Sequence, residues 1–134
     1  MSLLEQAREA LSNAYAPYSG YEVGAAIETA DGTVYTGCNI ENANFSNSLH
    51  AEEVALGKAL SEGHRSFARL AVSSRARDGV TPCGMCRQTF AEFCDEGFEI
   101  VCEAPSDSTA AERHYTLGEL LPDAITREHV EGES

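Results

Sequence analysis

Four residues at two points of the sequence have the types and spacing of a metal-dependent catalytic site. His50 and Glu52 are separated by one residue in S-L-H-A-E-E, and Cys83 and Cys86 are separated by two in T-P-C-G-M-C-R-Q. A Cys-x-x-Cys pair can supply two thiolates to zinc, and catalytic zinc commonly takes three protein ligands and leaves a fourth position for water. We therefore predict a site in which His50, Cys83 and Cys86 bind zinc.

Glu52 has the side chain that such a site needs beside its ligands. Water activated by zinc must give up a proton and the substrate must receive one, which requires a carboxylate next to the metal. Residues two apart in a regular helix point about 200° away from each other. His50 and Glu52 can therefore share a pocket only if His50 lies at the first turn of a helix, and Asn47 and Ser48 precede it as candidate caps.

Each of these residues also has a simpler interpretation. A single histidine near a helix start is often a capping or surface group, and Glu52 beside Glu53 could belong to a solvated helix face. The Cys-x-x-Cys pair could be a redox dithiol. A purely structural zinc site would need a fourth ligand, for which the candidates are Cys38, His64, Cys94 and Cys102. The redox interpretation gives His50 and Glu52 no role, so the conjunction favours a catalytic site, and we expect the other cysteines to act as small hydrophobic residues.

Strands and helices alternate around the two motifs. Apolar residues at three- and four-residue spacing predict an opening helix that ends before Pro17, and alternation over 23–27 followed by Asp31-Gly32 predicts a hairpin. The further predicted elements are a strand at 33–38, a helix at 51–60, a strand at 70–74, a helix with Pro82 in its first turn that ends before Gly97, a strand at 98–102, and a short strand and helical turn over 114–121.

This alternation predicts an α/β fold with right-handed crossovers and helices packed on a central mixed sheet. His50 and Cys83 then begin successive crossover helices. Such helix ends lie along the same rim of a sheet. The predicted fold can therefore place the two motifs close together in one site.

Length and composition indicate one globular domain over residues 1–134. Its hydrophobic fraction is 43%, and no apolar run approaches the roughly 20 residues that span a bilayer. The first residues include acidic side chains where an export signal has a basic region. We expect a cytoplasmic protein with no membrane partner, whose cysteines are reduced.

The charge balance bears on the partners of the chain. Twenty-two acidic residues oppose nine basic ones, of which only Lys58 is a lysine, so the formal net charge is -13. Binding to nucleic acid normally requires a basic patch, and we therefore predict no nucleic-acid partner. An acidic surface can serve solubility, but its near lack of lysine favours a halophilic adaptation, in which salt screens self-repulsion.

Several further blocks accompany the two motifs, and together they resemble the cytidine deaminase family in its short, single-domain form. His-x-Glu followed by Pro-Cys-x-x-Cys is itself the signature of zinc-dependent deaminases. The other matching blocks are A-Y-A-P-Y-S at 14–19, V-G-A-A at 23–26, G-C-N-I-E-N-A at 37–43 and L-L-P at 120–122. The resemblance implies a three-layer α/β/α sandwich around a five-stranded mixed sheet, one zinc ion per subunit on the three predicted ligands, and a homotetramer.

The same resemblance implies an activity and a binding site. The reaction is the hydrolytic deamination of cytidine and deoxycytidine to uridine and deoxyuridine, with release of ammonia, in pyrimidine salvage. Glu52 matches the residue that protonates N3 and relays a proton to the departing amine, and the N–H of Ala51 matches a donor to the pyrimidine carbonyl. Asn39 and Glu41 match the positions that hold the ribose hydroxyls of a free nucleoside. Tyr21 matches a pocket position that is usually Phe.

Three positions depart from the family pattern. The short form usually has cysteine at the position of His50, arginine at that of Glu53 and an aromatic residue at that of Ile125. One imidazole and two thiolates leave a zinc site neutral, so we interpret the first two changes as a compensating pair. Two alternatives to a cytidine deaminase stay open: a deaminase of another amino-substituted base, and a non-catalytic zinc-binding or dithiol protein.

Overall fold

One mixed sheet organises the chain, which the computed structural model describes over residues 1–75 and 79–131. Within these residues the sheet has five strands in the order β2-β1-β3-β4-β5. Neighbours β3 and β4 are parallel, and the other neighbouring pairs are antiparallel. The strands are β1 (Val23–Thr29), β2 (Val34–Cys38), β3 (Phe67–Ser74), β4 (Glu99–Glu103) and β5 (Glu112–Thr116). The predicted five-stranded mixed sheet is confirmed.

Helices cover both faces of this sheet. The described helices are α1 (Leu3–Ala10), α2 (Ala51–Ser61), α3 (Gly84–Phe93), α4 (Leu117–Leu120) and α5 (Arg127–Glu131), with single 3-10 turns at Leu11–Asn13 and Phe45–Asn47. Successive residues of a strand face opposite sides, and the core divides accordingly. Ala26 packs with α1 in one cluster, whereas its neighbours Ala25 and Ile27 pack with residues of α2 and α3 in the other. The predicted α/β/α sandwich is confirmed.

Two element boundaries differ from the sequence predictions. Strand β3 begins at Phe67, before the predicted start, because its first residues pair with β1 and Arg69 donates to the Glu28 carboxylate at 2.9 Å. Pro82 does not lie in the first turn of α3. Cys83 is the N-cap with extended backbone (φ -68°, ψ 166°), and Pro82 precedes it.

Within residues 1–75 and 79–131, none of the helices combines the length and the apolar character that crossing a bilayer requires.

Gly37 sets how closely α2 approaches the sheet. A Cβ atom at this buried position would lie 2.5 Å from the carbonyl oxygen of Ala51 and 2.6 Å from the amide nitrogen of Ala55. Only a residue without a side chain permits such contact between strand and helix backbones. Since Ala51 is the first residue of α2, this glycine fixes the end of the helix that carries His50 and Glu52.

We expect Gly37→Ala to destabilise the fold by about 1–3 kcal/mol, the usual cost of overpacking. Gly57→Ala is the matched control, because a Cβ at this helical position meets nothing within 4 Å. That control should be neutral or stabilise by up to about 1 kcal/mol through helix propensity. Urea unfolding of both variants measures the difference, and equal unfolding midpoints would contradict the close approach of α2 to β2.

Candidate active site

The structure brings the three predicted metal ligands together at the beginnings of α2 and α3. The Nδ1 atom of His50 lies 3.2 Å from the Sγ of Cys86 and 3.3 Å from the Sγ of Cys83. All three donor atoms lie within 4.8 Å of one another. His50 is half-buried, Cys83 is exposed and Cys86 is buried. The cluster therefore has an inner and an outer side.

The donor set fits zinc in chemistry and in spacing. Bond lengths of about 2.0–2.1 Å to nitrogen and about 2.3 Å to sulfur, at tetrahedral angles, put N and S about 3.5 Å apart. The separations in the structure are 3.2 and 3.3 Å. Burial raises the pKa of the Cys86 thiol. A buried thiolate therefore needs a cation at its sulfur, which zinc supplies.

The backbone at each helix start explains why these side chains converge. His50 is the N-cap of α2, with extended φ -85° and ψ 151°, so its side chain is free of the helical rotation that separates residues two apart. The Glu53 carboxylate accepts the N–H of His50 at 3.0 Å. The predicted caps are wrong: Ser48 instead accepts the N–H of Asn42 at 3.0 Å, within the preceding loop. The condition set by the sequence, that His50 stand at the first turn, is met.

Glu52 lies buried beside the ligand cluster, with 4% of its surface exposed. Burial raises the pKa of its carboxyl group, while hydrogen bonds from its own backbone N–H and from the Cys86 side chain act in the opposite direction. A carboxyl group in this environment can hold a proton and give it up to a neighbouring acceptor. The position has the geometry of a proton carrier next to the metal ligands.

Asn39 and Glu41 lie on the wall of the same site. Asn39 accepts the N–H of Val23 at 2.9 Å through its side-chain oxygen and donates its amide to the carbonyl of Tyr21 at 2.7 Å. One N–H and one lone pair of this side chain remain for a ligand. The Asn39 side chain thus holds the segment that carries Tyr21 and Val23.

The Glu41 carboxylate is held by the turn at Tyr18 and Ser19. The Ser19 hydroxyl donates to Oε2, and the backbone N–H groups of Tyr18 and Ser19 donate to Oε1 at 2.9 and 3.0 Å. The Ser19 hydroxyl and N–H are the chief causes that hold the pKa of Glu41 below its ordinary value. Glu41 is therefore an ionised acceptor with a fixed orientation.

A single cavity of about 780 Å³ joins these groups. Its lining includes Tyr21, Asn39, Glu41, His50, Ala51, Glu52 and Cys83. Cys86, the remaining predicted site residue, lies behind this wall and is fully buried. Ala51 is the first residue of α2, so its N–H has no acceptor within the helix and is available to a ligand.

Sequence reasoning assigned no role to several other residues that line the cavity. Tyr18 and Phe45 form an edge-to-face pair with ring centroids 5.8 Å apart, and both are largely exposed. Arg87, directly after Cys86, is the only Lys or Arg among the described lining residues. Ser19 stands in A-Y-A-P-Y-S, a block that had drawn attention only through resemblance, since a tyrosine-serine turn has no chemical signature of its own.

The remaining cysteines lie outside the cluster. Cys102 is in the core and Cys94 packs against it, as expected, and burial raises the pKa of each thiol to about 12. Cys38 is half-buried at the end of β2, and burial raises its pKa as well. In the described residues His50, Cys83 and Cys86 are the group whose ligand atoms converge.

Residues 1–102 match the family model of the cytidine and deoxycytidylate deaminase zinc-binding region. The chain belongs to this deaminase family. This family agrees with the observed α/β fold and with a site for one zinc ion per subunit. The resemblance to deaminases that the motifs indicated is confirmed.

Individual relatives match nearly the whole chain. The cytidine deaminase of Sporosarcina psychrophila is 41% identical over 126 residues, which are 94% of this chain and 90% of the relative. The cytidine deaminase of Halalkalibacterium halodurans is 40% identical over 126 residues, which are 94% of this chain and 93% of the relative. The crystal structure of cytidine deaminase from Burkholderia pseudomallei superimposes with a TM-score of 0.82 at 41% identity, over 93% of this chain and all of the other.

We expect Cys83→Ser and His50→Ala to reduce bound zinc from one ion per chain towards none, because each removes one of three ligands. Cys38→Ser is the matched control and should retain zinc, since Cys38 is outside the cluster. Atomic emission on purified, dialysed protein gives the zinc-to-protein ratio. Full zinc content in the Cys83 variant, or its loss in the Cys38 variant, would show that the ligand set is wrong.

Proposed function

We propose that the chain catalyses the zinc-dependent hydrolytic deamination of cytidine to uridine, with release of ammonia. The observation that carries the proposal is the convergence of the three ligand atoms next to the buried carboxyl group of Glu52, within one cavity. The relatives from S. psychrophila and H. halodurans, which are named cytidine deaminases, support the substrate. Deoxycytidine is included, since Asn39 and Glu41 offer hydrogen bonds suited to sugar hydroxyls in general.

Glu52 carries the protons of the reaction. When bound, zinc supplies Lewis-acid activation of water near neutral pH. Glu52 takes a proton from the attacking water and delivers it to N3 of the cytosine as the new C–O bond forms at C4. It then takes a second proton, from the new hydroxyl group at C4, and transfers it to the amine, which leaves as ammonia as the C4–N4 bond breaks and the C4 carbonyl of the product forms. One water is consumed, and the carboxyl group that moves the protons is itself buried from bulk solvent.

The remaining site residues hold the nucleoside. The N–H of Ala51, free at the start of α2, donates to the pyrimidine carbonyl. Asn39 and Glu41 bind the sugar hydroxyls, with Glu41 oriented by the Ser19 turn. Tyr21 lines the cavity beside them. The base and the sugar are thereby fixed at separate points, which orients C4 for attack.

The charges around the cavity favour a nucleoside over a nucleotide. The family model covers both cytidine and deoxycytidylate deaminases. A 5′-phosphate would enter a chain of net charge -13 and a cavity that contains the Glu41 carboxylate. The guanidinium of Arg87 donates to three acceptors of the protein itself. We therefore assign the unphosphorylated nucleoside as substrate.

A deaminase of another amino-substituted base is the second candidate. It would use the same zinc ligands and Glu52 but would have no need of Asn39 and Glu41. The fixed orientation of Glu41 by three donors argues against it. A dithiol or structural zinc protein would not need a carboxyl group buried beside the ligands. Burial of such a group costs free energy, and in that protein the group would have no role in catalysis.

The assembly and setting are part of the proposal. We infer a cytoplasmic homotetramer. Large exposed apolar side chains support the assembly: Tyr18, Phe45 and Leu49 line the cavity, and Ile40 is paired with both Leu49 and Tyr15 through isolated β-bridges. A patch of this kind is typical of a protein interface. The acidic composition supports activity at high salt, where screening reduces repulsion between subunits.

Glu52→Gln should abolish turnover while leaving zinc bound. We expect a loss in kcat of at least about 10²–10⁴, the contribution of general acid–base catalysis. Glu62→Gln, an exposed substitution at the end of the same helix, is the control. The measurement is the ultraviolet absorbance of cytidine with zinc-loaded protein in molar salt. A Glu52 variant as active as the control would refute the proposed mechanism.

Glu41→Gln should separate the two candidate substrates. For cytidine we expect a fall in kcat/KM of roughly 10–100-fold, the cost of about 1.4–3 kcal/mol in hydrogen bonds to a charged group. Turnover of a base without a sugar should be unchanged. Steady-state assays on cytidine and free cytosine, with Glu62→Gln as control, make the comparison. Equal losses on both compounds would mean that Glu41 does not recognise the sugar.

A further inference from the structure

Arg87 makes a set of contacts that the proposed chemistry does not use. Its Nε donates to the carbonyl oxygen of Pro82 at 2.7 Å, its Nη2 donates to the Oγ1 of Thr81 at 3.2 Å, and its Nη1 donates to the carbonyl oxygen of Leu120 at 2.8 Å. The side chain is half-buried at the cavity wall. One guanidinium therefore links three acceptors, namely two backbone carbonyl oxygens and one threonine hydroxyl.

Two of these points lie immediately before the zinc ligand Cys83. Residues 81–83 belong to neither a helix nor a strand, so regular secondary structure does not determine their path. The N–H of Arg87 also donates to the carbonyl of Cys83 at 3.0 Å, which closes the first turn of α3. Arg87 thus holds the segment 81–83 through its backbone and its side chain together.

The two thiolate ligands differ in how they are supported. Cys86 is buried within α3, where the helix and the core fix its position. Cys83 is exposed at the cap, and the direction of its side chain depends on the path of residues 81–83. A displacement of that segment would move one sulfur away from His50 while leaving the other in place.

The third contact ties the same arginine to the C-terminal part of the fold. Leu120 is the last residue of α4, and its carbonyl oxygen accepts no hydrogen bond from within that short helix. The side-chain amide of Gln88 donates to the carbonyl of Ile125 at 2.9 Å. The consecutive residues Arg87 and Gln88 therefore hold the chain at Leu120 and Ile125 against the helix that contains Cys86.

We propose that Arg87 is a positioning residue for the zinc ligand Cys83. Its planar fork of donors holds residues 81–82 and the end of α4 in one frame, and this keeps the Sγ of Cys83 directed at His50. A lysine has the same charge but only one ammonium group, which cannot reach three acceptors in different directions. The proposal rests on the zinc site and is independent of which nucleoside the protein deaminates.

The test is the rate of zinc release from the Arg87→Lys variant into excess chromogenic chelator. Outer-shell partners of metal ligands commonly contribute 10–100-fold to metal affinity, so we expect release roughly 10–100-fold faster than from the unchanged protein. Arg113→Lys, an exposed substitution on β5, is the matched control and should release zinc at the original rate. Equal release from the Arg87 and Arg113 variants would overturn the proposal.

Two further variants separate positioning from general stability. Thr81→Val removes one acceptor of Arg87 at nearly constant volume, and it should accelerate release by a smaller factor that largely vanishes in the Arg87→Lys background. Gln88→Leu frees Ile125 but leaves residues 81–83 held, so its release rate should match the original. Two results would count against positioning through residues 81–83. One is that the effects of Thr81→Val and Arg87→Lys on the release rate are fully additive, and the other is that Gln88→Leu releases zinc as rapidly as Arg87→Lys.

Cobalt substitution gives a second readout that does not need chelator or substrate. The ligand-field absorption of bound Co²⁺ should change in the Arg87→Lys variant, because the Cys83 thiolate is displaced, and should be unchanged in Arg113→Lys. An unaltered spectrum would overturn the proposal. Absence of cytidine turnover in the unchanged protein would instead refute the proposed function and leave these comparisons valid.

Discussion

The site depends on one constraint, the meeting of two helix N-termini whose cap residues have extended backbones. His50 caps α2 and Cys83 caps α3, and the imidazole Nδ1 faces both sulfurs at 3.2 and 3.3 Å. From within a regular helix, His50 and Glu52 would point about 200° away from each other and could not share one pocket. The close packing of α2 on β2 at Gly37 fixes one of these ends, so a glycine in an edge strand helps determine the geometry of a metal site.

Placing the candidate ligands at caps also brings the buried carboxyl group of Glu52 next to the cluster. Because His50 lies outside the helix proper and Glu52 within its first turn, both side chains reach one cavity despite their spacing. The same helix start provides the free N–H of Ala51. A ligand, a carboxyl group and a hydrogen-bond donor thus come from three successive residues, which accounts for the compactness of the H-A-E motif.

The sequence predicted the sheet, the main helices and the zinc ligands because each has a local signal. Alternation and helix periodicity mark the elements, and two short motifs mark the site. The caps and the place of Pro82 were predicted wrongly, because local signals leave a helix start uncertain by one or two residues and several polar residues there can act as caps. Contacts such as Arg87 to Leu120 join residues distant in sequence, and no local pattern identifies them.

The capping contact of Glu53 bears on the interpretation of His50 and Glu53 as a compensating pair. The Glu53 carboxylate accepts the N–H of His50, so a negative charge lies one residue from Glu52 and close to the candidate metal ligands. Zinc with three thiolates would have a net charge of about -1, and an adjacent carboxylate would add repulsion at short range. With one imidazole and two thiolates the zinc site is neutral, and the carboxylate can serve as a helix cap. The structure therefore gives a physical reason for His50 and Glu53 to occur together.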